Sequence, residues 1–210
     1  MASKDPKRRG NRRKQVQFFN RFTRDRERVP PGQYVTRKFP VLTHGETPDI
    51  RPEDWHLEVF GAVEQPLRLD WKALMKLPRK TVRVDIHCVT RWTLLGTEWE
   101  GVPFQAIVDK VHPHPQARFV MQYAYGGYTT NLPLEDLLKE DVLLAFHLNG
   151  YPLPRQHGGP VRMLVPHLYF WKSAKWLTRI ELLDRDRPGF WETRGYHNEG
   201  DPWKEERYGW

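Results

Sequence analysis

The sequence predicts an α+β fold, a β-rich mixed single domain, from three observations. Strand-like segments outnumber helical ones along the chain. The length of 210 residues allows one sizeable core or at most two small domains. A content of 39% hydrophobic and 13% aromatic residues is typical of a globular protein rather than a disordered one. No stretch approaches the roughly 18 apolar residues of a membrane-spanning helix, so we expect none.

Apolar alternation and turn residues predict the strands. They are expected at 55–61, 66–69, 81–88, 117–124, 161–166 and 176–183. Residues 142–153 are predicted to form a hairpin that turns at Asn149-Gly150, the pair that type I′ turns favour. Short helices are expected at 70–78 with Asp70 as N-cap, at 103–111 with Pro103 in its first turn, and at 133–139.

The only cysteine of the chain lies in the stretch DIHCVTRWT, residues 85–93. Alternation along 82–88 places Cys88 on the buried side of a strand, at the point where the strand ends. That position fits a small apolar filler and a functional thiol equally well. His87 faces the other side of the strand, which weighs against a cysteine nucleophile with His87 as its base. A lone cysteine also argues against a disulfide-stapled secreted fold, and we expect a cytoplasmic protein.

The net charge of +8 comes from the start of the chain. Residues 1–28 contain eleven Lys and Arg and three acids, so we predict a basic, disordered tail there. A solvated leader is favoured over a segment that binds nucleic acid or anionic lipid. The arginine pairs at 8–9 and 12–13 lack the apolar region that an export signal needs after them.

Residues 142–180 contain no Asp or Glu but several basic side chains. Buried strands explain part of this gap. They do not explain the basic loops PRQHGGPVR and WKSAK, where glycines allow close backbone approach to a ligand. Arg162, Ser173 and Lys175 could bind a phosphate or pyrophosphate there. The alternative is a solvated basic face. His112 and His114 have no third ligand nearby in the sequence, and a metal site is not predicted for them.

Two stretches resemble a known family. The cysteine that follows a strand and precedes VTRW and WEGVPF is similar to the molybdopterin-binding domain of the sulfite oxidase family. So is the later run LPRQHGGPVRMLVPHLYFWKSAKWLTRIELL. This family includes the catalytic subunits of bacterial methionine-sulfoxide reductases. The resemblance implies that fold at residues 29–190, between the basic tail at 1–28 and an irregular C-terminal extension at 191–210.

The resemblance also implies roles for individual residues. Cys88 matches the cysteine that ligates molybdenum, and a soft thiolate suits a soft, redox-active metal. The expected contacts to the molybdenum–molybdopterin cofactor are Tyr123, His157, Arg162, Lys172, Ser173, Ala174 and Lys175, of which the last three match the segment that holds its phosphate end.

A substrate pocket is expected from Arg37, Arg91, Trp92 and Tyr128. Arg37 matches the arginine that holds the substrate anion in sulfite oxidases, although Lys38-Phe39 replaces the family's Asn-His, a departure that weighs against sulfite. Arg37 is alternatively a surface arginine. Arg91 alternatively pairs with Asp85 or Glu98.

The resemblance implies an oxidoreductase that transfers an oxygen atom to or from a small, sulfur-containing substrate. Since the chain has neither the haem domain nor the immunoglobulin-like domain of many sulfite oxidases, electrons are expected to come from or go to a separate redox partner. The alternative is a non-catalytic binding module of the same fold whose basic tail docks on nucleic acid or a membrane surface. Nucleic acid is not the favoured partner, and the sequence predicts no oligomeric state.

Overall fold

The computed structural model describes residues 26–209, so most of the predicted basic tail lies outside the described residues. Within them, the chain forms eleven strands and three short α-helices, which confirms the α+β prediction. The strands are β1 (Tyr34–Val35), β2 (His56–Gly61), β3 (Leu67–Asp70), β4 (Lys80–His87), β5 (Trp92–Pro103), β6 (Phe119–Ala124), β7 (Thr129–Pro133), β8 (Leu143–Leu148), β9 (Tyr151–Pro152), β10 (Arg162–Leu164) and β11 (Leu177–Leu183). The helices are α1 (Trp71–Leu74), α2 (Phe104–Val111) and α3 (Leu134–Leu137).

The strands form two sheets. The first has the order β1-β5-β8-β10, with β4 also paired to β5 and β9 also paired to β8. The second has the order β3-β2-β11-β6-β7. Pairing is parallel between β1 and β5 and between β2 and β11, and antiparallel elsewhere.

Local signals placed several elements correctly. The Asp70 carboxylate accepts a hydrogen bond from the Ala73 amide at 2.7 Å and so caps α1 as predicted. β8 and β9 form the predicted hairpin, and both turn residues, Asn149 and Gly150, have the positive φ that a type I′ turn requires. No helix within residues 26–209 is both long and apolar enough to cross a membrane.

The longest strand, β5, was not predicted as a strand. Its sequence is WTLLGTEWEGVP. The strand pairs with β4 on one side and with β1 and β8 on the other, so its residues do not alternate cleanly between buried and exposed. β7 was also missed, because it follows the Gly126-Gly127 turn with only five residues.

The buried apolar side chains form two clusters. The larger one packs side chains of both sheets with those of α1, α2 and α3. The smaller one surrounds Cys88 and contains Ile86, Trp92, Trp99 and Phe170, with Phe39 packed against it. The strand end that carries the thiol is therefore surrounded by closely packed apolar side chains.

Candidate active site

Cys88 begins a tight turn between β4 and β5. Its carbonyl accepts a hydrogen bond from the Arg91 amide at 3.0 Å, and its amide donates to the Trp92 carbonyl at 2.9 Å. Arg91 has a φ of 75°, which lets the chain reverse within four residues. Thr90 donates its hydroxyl to the Cys88 sulfur at 3.2 Å. Burial raises the pKa of the thiol, whereas the Thr90 hydrogen bonds and the charge of Arg207 oppose this shift.

A cavity of about 350 Å³ opens beside this turn. Its walls come from five parts of the chain, at 39–44, 88–92, 124–128, 157–176 and 191–196. The cavity brings together seven residues that the sequence singled out, namely Cys88, Trp92, Tyr128, His157, Arg162, Ser173 and Lys175. Cys88 therefore shares one cavity with the basic residues of the acid-free stretch.

Arg162 is a buried positive charge without a carboxylate partner among residues 26–209. Its guanidinium donates to the His157 carbonyl at 2.7 Å, the Ser173 carbonyl at 2.8 Å and the Met163 carbonyl at 3.2 Å. The ring of Phe170 lies 4.0 Å from its central carbon. Burial lowers the pKa of Arg162 to about 9. A buried charge held only by neutral groups is costly, and an anion in the cavity would offset that cost.

Lys175 lines the same cavity. Its ammonium donates to the Leu42 carbonyl at 2.8 Å, the Thr43 hydroxyl at 2.6 Å and the Gln156 carbonyl at 3.2 Å. Burial and the charge of Arg162 lower the pKa of Lys175 to about 7. The two cations therefore raise the positive potential of this part of the cavity.

Gly158 allows the two cations to come close together. It has a φ of 109°, and a Cβ atom there would lie 3.0 Å from the Cβ atoms of both Arg162 and Lys175. A side chain would therefore be strained by the backbone conformation and crowded by both neighbours. This explains the first glycine of the HGGPVR segment in physical terms.

His157 is a neutral cavity residue. Burial, together with the charges of Arg162 and Lys175, lowers its pKa to about 4. Its ring stacks on Phe39, with centroids 3.9 Å apart and planes 9° apart. An imidazole held this way can donate or accept a single hydrogen bond without adding charge.

Aromatic groups form much of the remaining wall. The indole N–H of Trp92 is buried and has no hydrogen-bond partner in the described part of the chain. It is a buried donor that the described part of the fold leaves unsatisfied. Trp191 and Tyr196, which stack at 4.9 Å, complete the wall from the C-terminal extension. Sequence reasoning missed both, since only the high aromatic content of the extension hinted at them.

Two residues predicted for the substrate pocket do not line the cavity. Arg37 and Arg91 are exposed and lie outside the cavity wall. Asp85, one alternative partner of Arg91, instead pairs with Arg28, whose Nε lies 2.8 Å from the carboxylate. Glu98 is the other alternative partner, and within the described residues it forms no ion pair with Arg91.

Three of the expected cofactor contacts also lie outside the cavity wall. The Tyr123 hydroxyl donates to Glu181 and accepts from Arg187 at 2.6 Å. Lys172 is fully buried and forms an ion pair with Glu192 at 2.7 Å. The amide of Ala174 donates to Gln122 at 3.1 Å. Their roles in cofactor binding stay predictions.

This donor set fits a molybdenum–molybdopterin cofactor. Arg162 and Lys175 match the phosphate end of such a group, since both carry charge-assisted donors. Cys88 lines the same cavity and would supply a soft sulfur ligand.

This chain is similar to known oxidoreductases. A protein described as uncharacterized oxidoreductase YuiH from Bacillus subtilis is 47% identical over 87% of this chain and 93% of its own length. Catalytic subunits of protein-methionine-sulfoxide reductase, MsrP, from Ralstonia nicotianae and Gluconobacter oxydans are each 31% identical over 68% of this chain. The chain spans only about half the length of these subunits, 47% and 51%.

A solved structure shows the same fold. The sulfane dehydrogenase SoxCD from Paracoccus pantotrophus superposes with a TM-score of 0.64 over 72% of this chain and 43% of its own, at 23% identity. The family described as "Oxidoreductase molybdopterin binding domain" matches residues 44–191. This chain therefore belongs to the molybdopterin-binding oxidoreductases of the sulfite oxidase type and is an enzyme of that class with molybdopterin as its cofactor.

Proposed function

We propose that this chain transfers an oxygen atom to or from a small, neutral, sulfur-containing substrate in the cytoplasm and exchanges electrons with a separate redox partner. The observation that carries the proposal is the joint position of the Cys88 thiol and the Arg162 guanidinium, which has no carboxylate partner in the described chain, in one cavity. When bound, the molybdenum of the cofactor would supply the two-electron chemistry.

In this proposal the residues of the chain bind the cofactor and orient the sulfur that ligates its metal. Cys88 holds the metal through its sulfur, and Thr90 orients that sulfur through its hydroxyl. Arg162, Ser173 and Lys175 hold the anionic end of the cofactor. His157 remains neutral and fixed by Phe39, so it provides a hydrogen bond without repelling the two cations.

A neutral substrate is supported by the composition of the cavity wall. Arg37, the predicted anion-binding arginine, does not contribute to it. The wall from the C-terminal extension is aromatic, with Trp191 and Tyr196 beside Tyr128. Aromatic rings make favourable contacts with the alkyl groups of an S-oxide and with the divalent sulfur of the corresponding sulfide. An anion such as sulfite would instead need a cation not already engaged by the cofactor.

The first experiment is metal and pterin analysis of protein made in a host that synthesises molybdopterin. We expect about one molybdenum per chain, and Cys88→Ser should lose turnover and the thiolate signature of the metal while keeping its fold. His114→Ala, outside the cavity, is the control and should keep both. A protein without molybdenum, or a Cys88→Ser variant with unchanged metal spectrum and turnover, would contradict the proposal.

The second experiment is a substrate screen with an artificial redox dye. Sulfite, dialkyl S-oxides, methionine S-oxides and N-oxides would be compared by kcat/KM. We expect an S-oxide to exceed sulfite by about tenfold or more, corresponding to at least about 1.4 kcal/mol of transition-state discrimination. Faster turnover of sulfite than of every S-oxide would refute the neutral-substrate assignment and leave the metal assignment intact.

A further inference from the structure

The turn that carries Cys88 is held from two sides by residues outside the part of the chain that matches the family. Gln33 donates its side-chain amide to the Cys88 carbonyl at 3.0 Å. Arg207 donates its Nη1 to the Val89 carbonyl at 2.7 Å. The family match covers residues 44–191, so one of these contacts precedes it and the other follows it.

Arg207 is a buried arginine. Only 6% of its surface is exposed. Its Nη2 reaches the Pro31 carbonyl at 3.4 Å, and its guanidinium lies over the ring of Tyr169 at 4.9 Å. The guanidinium lies farther from the Glu205 carboxylate, at 3.8 Å, so the 2.7 Å bond to Val89 is the closest polar contact of the guanidinium in the described chain. A guanidinium used this way gives a short, directional, charge-assisted hydrogen bond.

The backbone around Arg207 is itself fixed to the folded body. Tyr196 and Tyr208 form an isolated β-bridge, and the amide of His197 donates to the Arg207 carbonyl at 3.2 Å. The amide of Tyr169 donates to the Gly200 carbonyl at 2.7 Å. The C-terminal extension is therefore a fixed support from which Arg207 reaches the turn.

The two contacts act on consecutive peptide units of the turn. The Cys88 carbonyl accepts from both Gln33 and the Arg91 amide, while the Val89 carbonyl accepts from Arg207. The Cys88 Cα lies between two peptide planes, of which the first is held by the bond from the Cys88 amide to the Trp92 carbonyl and the second by Gln33. Arg207 holds the next plane, so these contacts together restrain the direction in which the Cys88 side chain leaves the backbone. A ligand displaced by about 1 Å loses much of its function, so such outer contacts matter for a metal site.

We propose that Gln33 and Arg207 are positioning residues that clamp the Cys88 turn, so that the segments flanking the family domain complete the active site. The functional importance of this clamp rests on the proposed role of Cys88 as the metal ligand. The restraint of the turn by these two residues does not depend on that role and can be tested without measuring activity.

Hydrogen–deuterium exchange of the full chain as purified tests the clamp directly. The amides of Cys88 and Arg91 are both hydrogen-bonded within the turn, so the peptide covering 86–93 reports on it. In Arg207→Met and Gln33→Leu we expect these amides to exchange about tenfold faster, with the peptide covering 119–124 unchanged. Arg207→Lys keeps the charge and one donor and should show a smaller effect.

Two controls match the variants in residue type. Lys204→Met removes an exposed cation from the same extension, and Gln105→Leu removes an exposed glutamine that bonds only within α2. In both controls the amides of the peptide covering 86–93 should exchange at the wild-type rate. In molybdenum-loaded protein, the electron paramagnetic resonance signal of the metal should shift in Arg207→Met and Gln33→Leu but not in the controls.

Wild-type exchange at 86–93 in both Gln33→Leu and Arg207→Met would overturn the clamp. If Arg207→Met fails to fold, exchange at 86–93 in Gln33→Leu and Arg207→Lys tests the clamp instead. Faster exchange in protein that binds no molybdenum would support the clamp and refute the proposed function. Faster exchange with an unchanged metal signal would overturn the inference that the clamp completes the active site.

Discussion

Arg162 has the polar contacts of a residue prepared for an anionic ligand. Its guanidinium satisfies three backbone carbonyls, yet none of these contacts neutralises its charge. Lys175 is in a similar position, with two carbonyls and a hydroxyl as acceptors. Gly158 lets the two cationic side chains come close together. Their mutual repulsion destabilises the cavity without an anion, and their combined charge favours the binding of a phosphate.

Lys175 makes cofactor retention depend on pH. Its pKa is lowered from 10.5 to about 7, first by burial and then by Arg162. Between these values the unfolded chain binds more protons than the folded one, so the stability of cofactor-free protein should rise with pH from about 7 to 10.5. A bound phosphate favours the protonated lysine, so cofactor binding takes up a proton in the same window. Affinity should therefore fall as pH rises above 7, by up to about tenfold per pH unit.

Pterin retained after dialysis at pH 6 to 9 would measure this effect. Lys175→Met should bind the cofactor more weakly at pH 6 and lose the dependence between pH 7 and 8, which lies below the pKa of about 9 of Arg162. Lys110→Met, on the surface of α2, should behave like wild type. His157 does not interfere, since its pKa of about 4 keeps it neutral throughout. Retention that rises with pH, or an unchanged slope in Lys175→Met, would contradict the role assigned to Lys175.

At the residue scale, the sequence predicted the cavity residues that share one basic stretch. The absence of acids from 142–180 pointed to Arg162, Ser173 and Lys175 from charge alone. The same reasoning could not separate out Lys172, whose partner Glu192 lies beyond the stretch and meets it only through the fold. Tyr196 was missed for a related reason, because an aromatic residue in an irregular segment has no periodicity that indicates its environment.

At the element scale, β5 connects the site to the rest of the fold. It begins at Trp92, in the cavity wall, and it pairs with three other strands. Its pairings contain irregularities at Val84/Ile86 of β4 and at Glu100/Gly101. These bulges shift the alternation of side chains along the strand, which is why a period-two pattern could not be read from its sequence. The pairings of β2 contain no such irregularity, and β2 was predicted. β6 and β11 were predicted as well, although their pairing has a register shift at Leu177/Arg179.

Gly101 allows β5 and β8 to approach at the bulge. A Cβ atom there would lie 2.4 Å from the Leu144 carbonyl oxygen and 2.8 Å from the Ala145 Cα. Both are backbone atoms, so Gly101→Ala must push the strands apart, and we expect a loss of about 1–3 kcal/mol in the free energy of unfolding. Gly209→Ala is the matched control, since its nearest neighbour would be 3.5 Å away. Urea denaturation would compare them, and equal midpoints would show that the bulge tolerates a side chain.

At the scale of the whole molecule, the C-terminal extension is part of the folded body. Between residues 191 and 209 it forms no strand. It nevertheless contributes Trp191 and Tyr196 to the cavity and Arg207 to the Cys88 turn. Aromatic and charged side chains attach it, together with the backbone hydrogen bond from the Tyr169 amide to the Gly200 carbonyl. A sequence-based prediction of secondary structure could not detect such an attachment, because each contact joins residues far apart in the chain.

The buried ion pair of Lys172 and Glu192 is the strongest test of this attachment. The two side chains are 0% and 1% exposed, and the Glu192 carboxylate also accepts from Thr130 and from the indole of Trp171. Glu192→Gln leaves a buried ammonium without its counter-charge, so we expect a loss of about 3–5 kcal/mol in unfolding free energy. Glu199→Gln, an exposed site on the same extension, should change it by less than about 0.5 kcal/mol.

The double variant Lys172→Met with Glu192→Leu distinguishes a structural role of this ion pair from a role of Lys172 in cofactor binding. Removing both charges avoids the unpaired ammonium, so the double variant should be more stable than Glu192→Gln in urea denaturation. Lys172 does not line the cavity, so a double variant that folds should also keep its molybdenum. Loss of metal from a variant as stable as wild type would instead favour the predicted cofactor role of Lys172. Retained metal would assign Lys172 to holding the extension that carries Arg207 against the active site.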